Sequence, residues 1–371
     1  MISGRITALA VAVMALIGGA AMAVEWQVIP QQNREYVTFA NLAEFYQFPE
    51  YSHANRTISL RSDRRGIRAQ AGTSDIYING VRFFTLFPLA MQGNESLIST
   101  MDVGKLIEPV LRPSRIPNAQ KVETVVLDPG HGGTDHGTAN HWGTEKEFAL
   151  DVALAAREQL VRAGYKVEMT RTDDSGLSLE ERAEFANRFT NAVFLSIHFN
   201  AGTGGAGVES YALAPEGVPS SAGGEHHGAA ADAQPNAGNL QDGLNVALTA
   251  AVHASVLSRV STFDRGVRHA RFKVLRNIQI PGVLLEGGFL NDPAEGQRIA
   301  TAQYRQQLAT ALALGVQNYD AAVNYRSNNT GFAVVRANLA PHAQSILEPL
   351  QAHAAEPLAP QKPSISISAG E

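Results

Sequence analysis

Four residues offer chemistry in this sequence: His131, Glu145, His198 and Glu286. His131 lies in Asp128-Pro129-Gly130-His131-Gly132-Gly133, directly after the apolar run Val125-Val126-Leu127, and the glycines let the chain turn tightly beyond a buried strand. His198 follows the run from Ala192 to Ile197 in the same manner. The carboxyl ends of strands are where ligands collect in open α/β sheets. Glu145 stands between the two histidines in Gly143-Thr144-Glu145-Lys146, at the entrance to a long helix and within loop reach of His131. Two neutral imidazoles and one carboxylate make a three-ligand set for zinc (Zn2+), with a fourth position open to water. Singly, each residue is as well explained by local hydrogen bonds or the helix dipole; together at one sheet edge they favour a metal.

Glu286 ends the apolar run from Pro281 to Leu285. A carboxylate there is costly unless a charge or a proton faces it. Two readings stand: an ion pair with Arg182, Arg265 or Arg276, or a general acid/base that takes a proton from activated water and returns it to a departing amine. Asn200, Arg182 and Glu209 are weaker candidates for substrate contact, set against capping, helix-pairing and ligand-orienting roles. His136 and His141 follow no strand and read as loop histidines, while Asp135 and Asn140 read as turn formers. His226-His227 is too small a set for a defined metal site.

Positioning these residues falls to an α/β layer fold over residues 121–319, where apolar runs alternate with helix-length amphipathic segments. Strands are expected over Thr124 to Leu127, Lys166 to Thr170, Ala192 to Ile197, Gly207 to Leu213, Phe272 to Leu275 and Gly282 to Leu285. Helices are expected over Glu147 to Ala163, Ser178 to Phe189, Leu244 to Val260 and Gln303 to Tyr319; the second opens on Ser178 with Glu181 three residues on, a capping box. Residues 25–112 read as a small β-rich α+β domain: short strands at Tyr36 to Thr38, Thr57 to Leu60, Ile67 to Ala69 and Asp75 to Val81, a hairpin signal at Asn79-Gly80, and short helices over Asn41 to Phe48 and Val103 to Leu111. Pro113 to Gln120 reads as a linker, and residues 320–371 as a low-complexity, disordered tail. Pro219 to Asn239 contains no Leu, Ile, Val, Phe or Met, so Pro215 to Asn239 is expected to be a mobile loop and not a helix docked over the site.

Arg5, the apolar stretch from Ile6 to Ile17 and Ala21-Met22-Ala23 form a signal peptide with cleavage expected after Ala23, which directs the chain to the periplasm or the extracellular space without stable membrane insertion. The chain has no cysteine, so any metal must be held by His and carboxylate. A net charge of -5 and the lack of a basic run exclude a protein that binds nucleic acid by neutralising phosphates.

Leu127 to Gly133, Glu145-Lys146, Ser196 to Ala201, Gly207-Val208-Glu209, Arg265-Gly266-Val267 and Leu285 to Asn291 resemble the motifs of the zinc-dependent N-acetylmuramoyl-L-alanine amidases of bacterial cell walls, over Val122 to Tyr319. The resemblance implies a mixed sheet flanked by helices, zinc on His131, Glu145 and His198, and hydrolysis of the muramyl-alanine amide of peptidoglycan by zinc-bound water with Glu286 as acid/base. Peptidoglycan is the expected partner; whether a protein activator is needed stays open. Residues 25–112 resemble the small N-terminal domain of copper amine oxidases. The same residues leave two rivals, a zinc carboxypeptidase acting on wall peptides and an inactive wall-binding protein; the intact quartet disfavours the second.

Overall fold

The structure, a computed structural model, describes residues 26–202, 205–221, 232 and 234–325. The expected signal peptide, most of the expected tail and His226-His227 lie outside the described residues. The N-terminal part comprises β1 (Ile29–Gln31), β2 (Arg34–Thr38), α1 (Phe39–Phe45), β3 (Glu50–Ala54), β4 (Thr57–Arg61), β5 (Gly66–Gln70), β6 (Asp75–Ile78), β7 (Val81–Phe84), β8 (Ala90–Gln92) and β9 (Glu95–Ser99). It closes with α2 (Thr100–Asp102), a π-helical turn (Val103–Ile107) and α3 (Glu108–Leu111). From residue 124 follow β10 (Thr124–Pro129), β11 (Ala139–Asn140), β12 (Gly143–Thr144), α4 (Glu145–Arg162), β13 (Lys166–Met169), α5 (Leu179–Ala186), β14 (Ala192–Asn200) and β15 (Val208–Leu213). The rest are α6 (Asp242–Arg259), β16 (Asp264–Ala270), α7 (Lys273–Asn277), β17 (Gly282–Phe289), α8 (Pro293–Ile299) and α9 (Ala302–Asn324).

One mixed sheet of eleven strands, in the order β13-β10-β14-β17-β15-β16-β7-β6-β5-β4-β3, runs through both parts. Strands β13, β10, β14 and β17 are parallel, β15 is antiparallel to β17, and β16 and β7 follow parallel to it. The parallel strands β10 and β14 are buried almost along their whole length and mostly apolar, as strands covered on both faces are. Helices α4, α6 and α9 cover one face, with Val152, Leu248, Leu308 and Leu312 fully buried against Val125 and Leu195. Helices α5 and α7 cover the other, over Val126, Phe194 and Tyr211.

Local signals set the helix starts. Ser178 Oγ accepts from Glu181 N at 3.2 Å and Glu181 Oε2 accepts from Ser178 N at 2.7 Å, the expected capping box of α5. The first long helix begins at Glu145 and not at Glu147, because the Glu147 carboxylate turns back to accept from Thr144 N at 3.0 Å.

Two expectations are corrected. Phe272 to Leu275 is not a strand: Lys273–Asn277 is the helix α7, which packs Val274 and Leu275 against Ile278. The strand there is instead β16, whose charged sequence Asp-Arg-Gly-Val-Arg-His-Ala lacks a continuous apolar run. The last helix continues to Asn324, beyond the expected boundary at Tyr319, because Val323 is still buried in the core. The segments also share packing: Val246, Ala250 and Ala254 of α6 lie in the same cluster as Ile58, Ile76 and Phe83.

Candidate active site

Three strand ends and one helix entrance meet at the carboxyl edge of β10, β14 and β17. Asp128, at the end of β10, is buried and accepts from Arg182 Nη1 at 2.7 Å, Thr170 Oγ1 at 2.7 Å and Ser196 Oγ at 2.8 Å. Burial pushes its pKa up, but Arg182 and these hydroxyls overcome that and hold it below the usual carboxylate range. The chain then turns through His131, which has a φ of +58°, a left-handed conformation costly for a residue with a side chain. Arg182 Nη2 holds that turn by donating to His131 O at 2.7 Å, and Arg171 donates to Pro129 O at 3.0 Å and to Gly130 O at 2.7 Å. Gly130 has no room for a side chain: a Cβ there would lie 2.2 Å from His198 Cε1.

Glu145 is the hub. Its Oε1 lies 3.0 Å from His131 Nε2 and 2.9 Å from His198 Nδ1 and accepts from Phe199 N at 3.0 Å, while its Oε2 accepts from Thr138 N at 2.9 Å. Asp135 Oδ2 lies 2.7 Å from His131 Nδ1, on the far side of that ring. Burial disfavours the charged Glu145, yet the hydrogen bonds from His131 and His198 outweigh it and hold its pKa far down. His131 moves the other way: burial lowers its pKa, and Glu145 and Asp135 raise it by more. Donor atoms of His131, Glu145 and His198 all lie within 4.8 Å of one another, so these residues can hold a metal ion.

Glu286 sits opposite His198 in the pairing of β14 with β17. It is 7% exposed, and among the described residues its Oε2 has no hydrogen-bond partner. Two of the three alternative ion-pair partners are engaged elsewhere: Arg182 is on Asp128 and Arg265 on Glu209. Burial, then the carboxylates of Glu145 and Glu209, push the pKa of Glu286 well up.

The weaker candidates are placed differently from the expectation of substrate contact. Arg182 is 3% exposed with its donors spent on Asp128, Pro129 O and His131 O, so it holds the His131 turn from beneath. Glu209, 2% exposed, accepts from Asn200 Nδ2 at 2.7 Å, Tyr211 OH at 2.9 Å and Arg265 Nε at 3.2 Å. Asn200 and Glu209 are thus partners in one internal network beside Glu286. His141 stacks on Trp142 with ring centroids 3.6 Å apart, and neither it nor His136 joins the cluster. Reading Asp135 as a turn former missed its contact with His131, for which the spacing of four residues was the available signal. Arg171 was missed altogether, although it follows strand β13 as His131 follows β10.

Comparison with known proteins identifies the family. The model of the N-acetylmuramoyl-L-alanine amidase family matches residues 125–318. The chain is 32% identical to the sporulation-specific N-acetylmuramoyl-L-alanine amidase of Bacillus subtilis over 195 residues, 52% of this chain and 66% of that protein. It is 33% identical to the amidase AmiC of Neisseria meningitidis over 231 residues, 56% of this chain and 55% of AmiC. The chain therefore spans under two thirds of the length of these relatives. The solved N-acetylmuramoyl-L-alanine amidase of Clostridium difficile 630 is 32% identical, with a TM-score of 0.44 over 54% of this chain and 97% of that one. The match of the family model over more than half of the chain, on the segment that brings His131, Glu145, His198 and Glu286 to one sheet edge, makes this chain a member of the N-acetylmuramoyl-L-alanine amidase family.

Proposed function

We propose that this chain is exported from the cytoplasm and hydrolyses the amide bond between N-acetylmuramic acid and L-alanine in peptidoglycan, with zinc held by His131, Glu145 and His198. The observation that carries the reading is the convergence of three donors within 4.8 Å beside a buried carboxylate with one free oxygen. Two imidazoles and a carboxylate fit zinc, and the contact of Asp135 with His131 Nδ1 leaves Nε2 directed at the cluster. When bound, zinc supplies Lewis acidity, which polarises an amide carbonyl and acidifies water. Glu286 Oε2 takes the proton from the attacking water and returns it to the alanine nitrogen as the carbon-nitrogen bond breaks. Burial and the neighbouring carboxylates raise its proton affinity, which suits a group that holds a proton between two steps. Arg171 and Arg182 fix the His131 turn, and the backbone N–H groups of Thr138 and Phe199 fix Glu145.

Export is supported by the leader-like sequence up to Ala23, and among the described residues no helix is long and apolar enough to cross a membrane. Digestion of defined peptidoglycan tests the reaction. The expected products are sugar strands bearing a free lactyl carboxylate and peptides with a free N-terminal alanine, formed with zinc and lost with a chelator; shortened peptides would identify a carboxypeptidase instead. His198→Ala is expected to lose both metal and turnover, and stoichiometric zinc in the purified variant would show that His198 is not a ligand.

A further inference from the structure

Directly beyond Glu286, strand β17 carries one residue more than its partner. His198 pairs with Glu286 but Asn200 pairs with Phe289, so Phe199 alone stands opposite Gly287 and Gly288. A bulge of this kind bends the strand, re-aims the side chains beside it and takes backbone groups out of the ladder. Both glycines are required by their surroundings. Gly288 has a φ of +131°, and a Cβ on Gly287 would lie 3.0 Å from Leu308 Cδ1 and 3.1 Å from Phe199 Cε1. The acid/base residue is thus followed at once by a segment with no side chain of its own to hold it in place.

Two buried side chains from the helices that follow supply the hold. Tyr304 OH donates to Gly287 O at 2.8 Å, and Glu295 Oε2 accepts from Phe289 N at 2.8 Å. The other Glu295 oxygen accepts from Gly207 N at 2.8 Å, at the entry to β15, where Glu209 pairs with Glu286. One carboxylate therefore ties the ends of both strands that flank the Glu209 and Glu286 pair. Local caps place the two side chains: Asp292 Oδ1 accepts from Glu295 N at 2.9 Å at the start of α8, and Thr301 Oγ1 accepts from Tyr304 N at 3.2 Å at the start of α9. Tyr304 and Glu295 are only 4% and 5% exposed, and a carboxylate so deep is costly unless its acceptors are used. Their side-chain hydrogen bonds run to Gly207, Thr262, Gly287 and Phe289, not to the donors that converge for a metal.

We propose that Glu295 and Tyr304 are positioning residues that clamp the β17 bulge from both sides and thereby fix the aim of the Glu286 carboxylate. The consequence for catalysis rests on the amidase reading of Glu286; the clamp itself follows from the fold. Its leverage is large, since a misplacement of about 1 Å at a reacting group can cost about a hundredfold in rate.

The test compares Glu295→Gln and Tyr304→Phe in the zinc-loaded full chain, each made in the native and in the Glu286→Gln background. Glu295→Gln replaces one oxygen by an NH2 group, so the side chain no longer accepts from both Gly207 N and Phe289 N. It is expected to lower kcat on a soluble muramyl peptide about ten- to a hundredfold, and Tyr304→Phe about three- to tenfold, with zinc content and KM nearly unchanged. Neither is expected to lower the residual rate of Glu286→Gln further, because a positioning residue acts only through the group it aims. Native-like kcat in both variants, or the same fold-loss repeated on top of Glu286→Gln, overturns the proposal. Tyr304→Phe, which removes a single hydroxyl, carries the comparison if Glu295→Gln does not fold. Amide hydrogen exchange over residues 287–290 reads the clamp without any substrate, and it is expected to quicken at Phe289 in Glu295→Gln. Unchanged exchange there overturns the clamp whichever bond the enzyme cuts. Failure of the amidase reading registers separately, as no N-terminal alanine released by the native chain with zinc present.

Discussion

At the meander end of the sheet, β4 to β7 alternate strictly, with Ile58, Leu60, Ile67, Ile76, Ile78 and Phe83 on the core face and polar residues opposite. At the catalytic end, β10, β14 and β17 are buried on both faces, and their carboxyl edge holds Asp128, Glu145, Arg182, Glu209 and Glu286 out of water. The first region leaves its polar groups to solvent; the second must satisfy them internally. Asp128 has Arg182 and two hydroxyls, Glu145 two imidazoles and two backbone N–H groups, and Glu209 Arg265, Asn200 and Tyr211. Among the described residues, Glu286 alone of these carboxylates keeps a buried oxygen without a partner. Buried charge is tolerated here where it is saturated, and the unsaturated exception marks the reactive group.

That contrast is most sharply tested at Glu286. Glu286→Gln is expected to keep the fold and the zinc content but to lower kcat on a soluble muramyl peptide about a hundred- to ten-thousand-fold, since the amide cannot carry the proton. A near-native kcat would remove Glu286 from the mechanism. Next in size is the buried pair beneath the site. Arg182→Met strands Asp128 and leaves His131 O without its donor, at a cost of about 3–5 kcal/mol by urea unfolding. The double variant with Asp128→Asn is expected to be less destabilised than Arg182→Met alone; a loss equal to the sum of the two single losses would mean that the two side chains are not coupled.

The smallest effect belongs to an exception on β16. His269 is 3% exposed, its Nε2 has no partner among the described residues, and burial lowers its pKa to about 4 from an ordinary 6.5. The folded chain thus favours the neutral ring. This stability is fully present above pH 6.5 and is lost as the pH falls from 6.5 through 4, by roughly 3 kcal/mol in total. His269→Gln is expected to flatten that limb when unfolding is compared at neutral and acid pH. An acid limb as steep as the native one would place the titration elsewhere.

The same contrast explains what could be read in advance. His131, His198 and Glu286 were legible because each ends an apolar run, and the start of α5 because a capping box is local in sequence. Strand β16 was not, since it is held by pairing with β15 and by arginines turned onto Glu209, neither of which leaves an apolar pattern. Phe272 to Leu275 misled for the converse reason: four residues, three of them apolar, fit a short strand or a turn of helix equally well, and packing on Ile278 decides for the helix. Arg182 and Glu209 stayed divided between substrate contact and structural roles because a sequence gives the charge of a residue without its depth. The joining of β7 to β16 depends on residues far apart in the chain, which no local pattern encodes.

That junction also orders assembly of the molecule. Strands β3 to β7 pair through short hairpins and can form as soon as they are synthesised, but the edge of β7 waits for Asp264, which accepts from Arg82 N across 182 residues of chain. Until then β7 is a nascent open edge, the template on which chains pair wrongly with one another. The charged Arg82 stands on that edge strand, held by Asp75 of β6, and discourages such pairing, so a residue that lines a face of the finished sheet acts earlier as a gatekeeper against aggregation during folding.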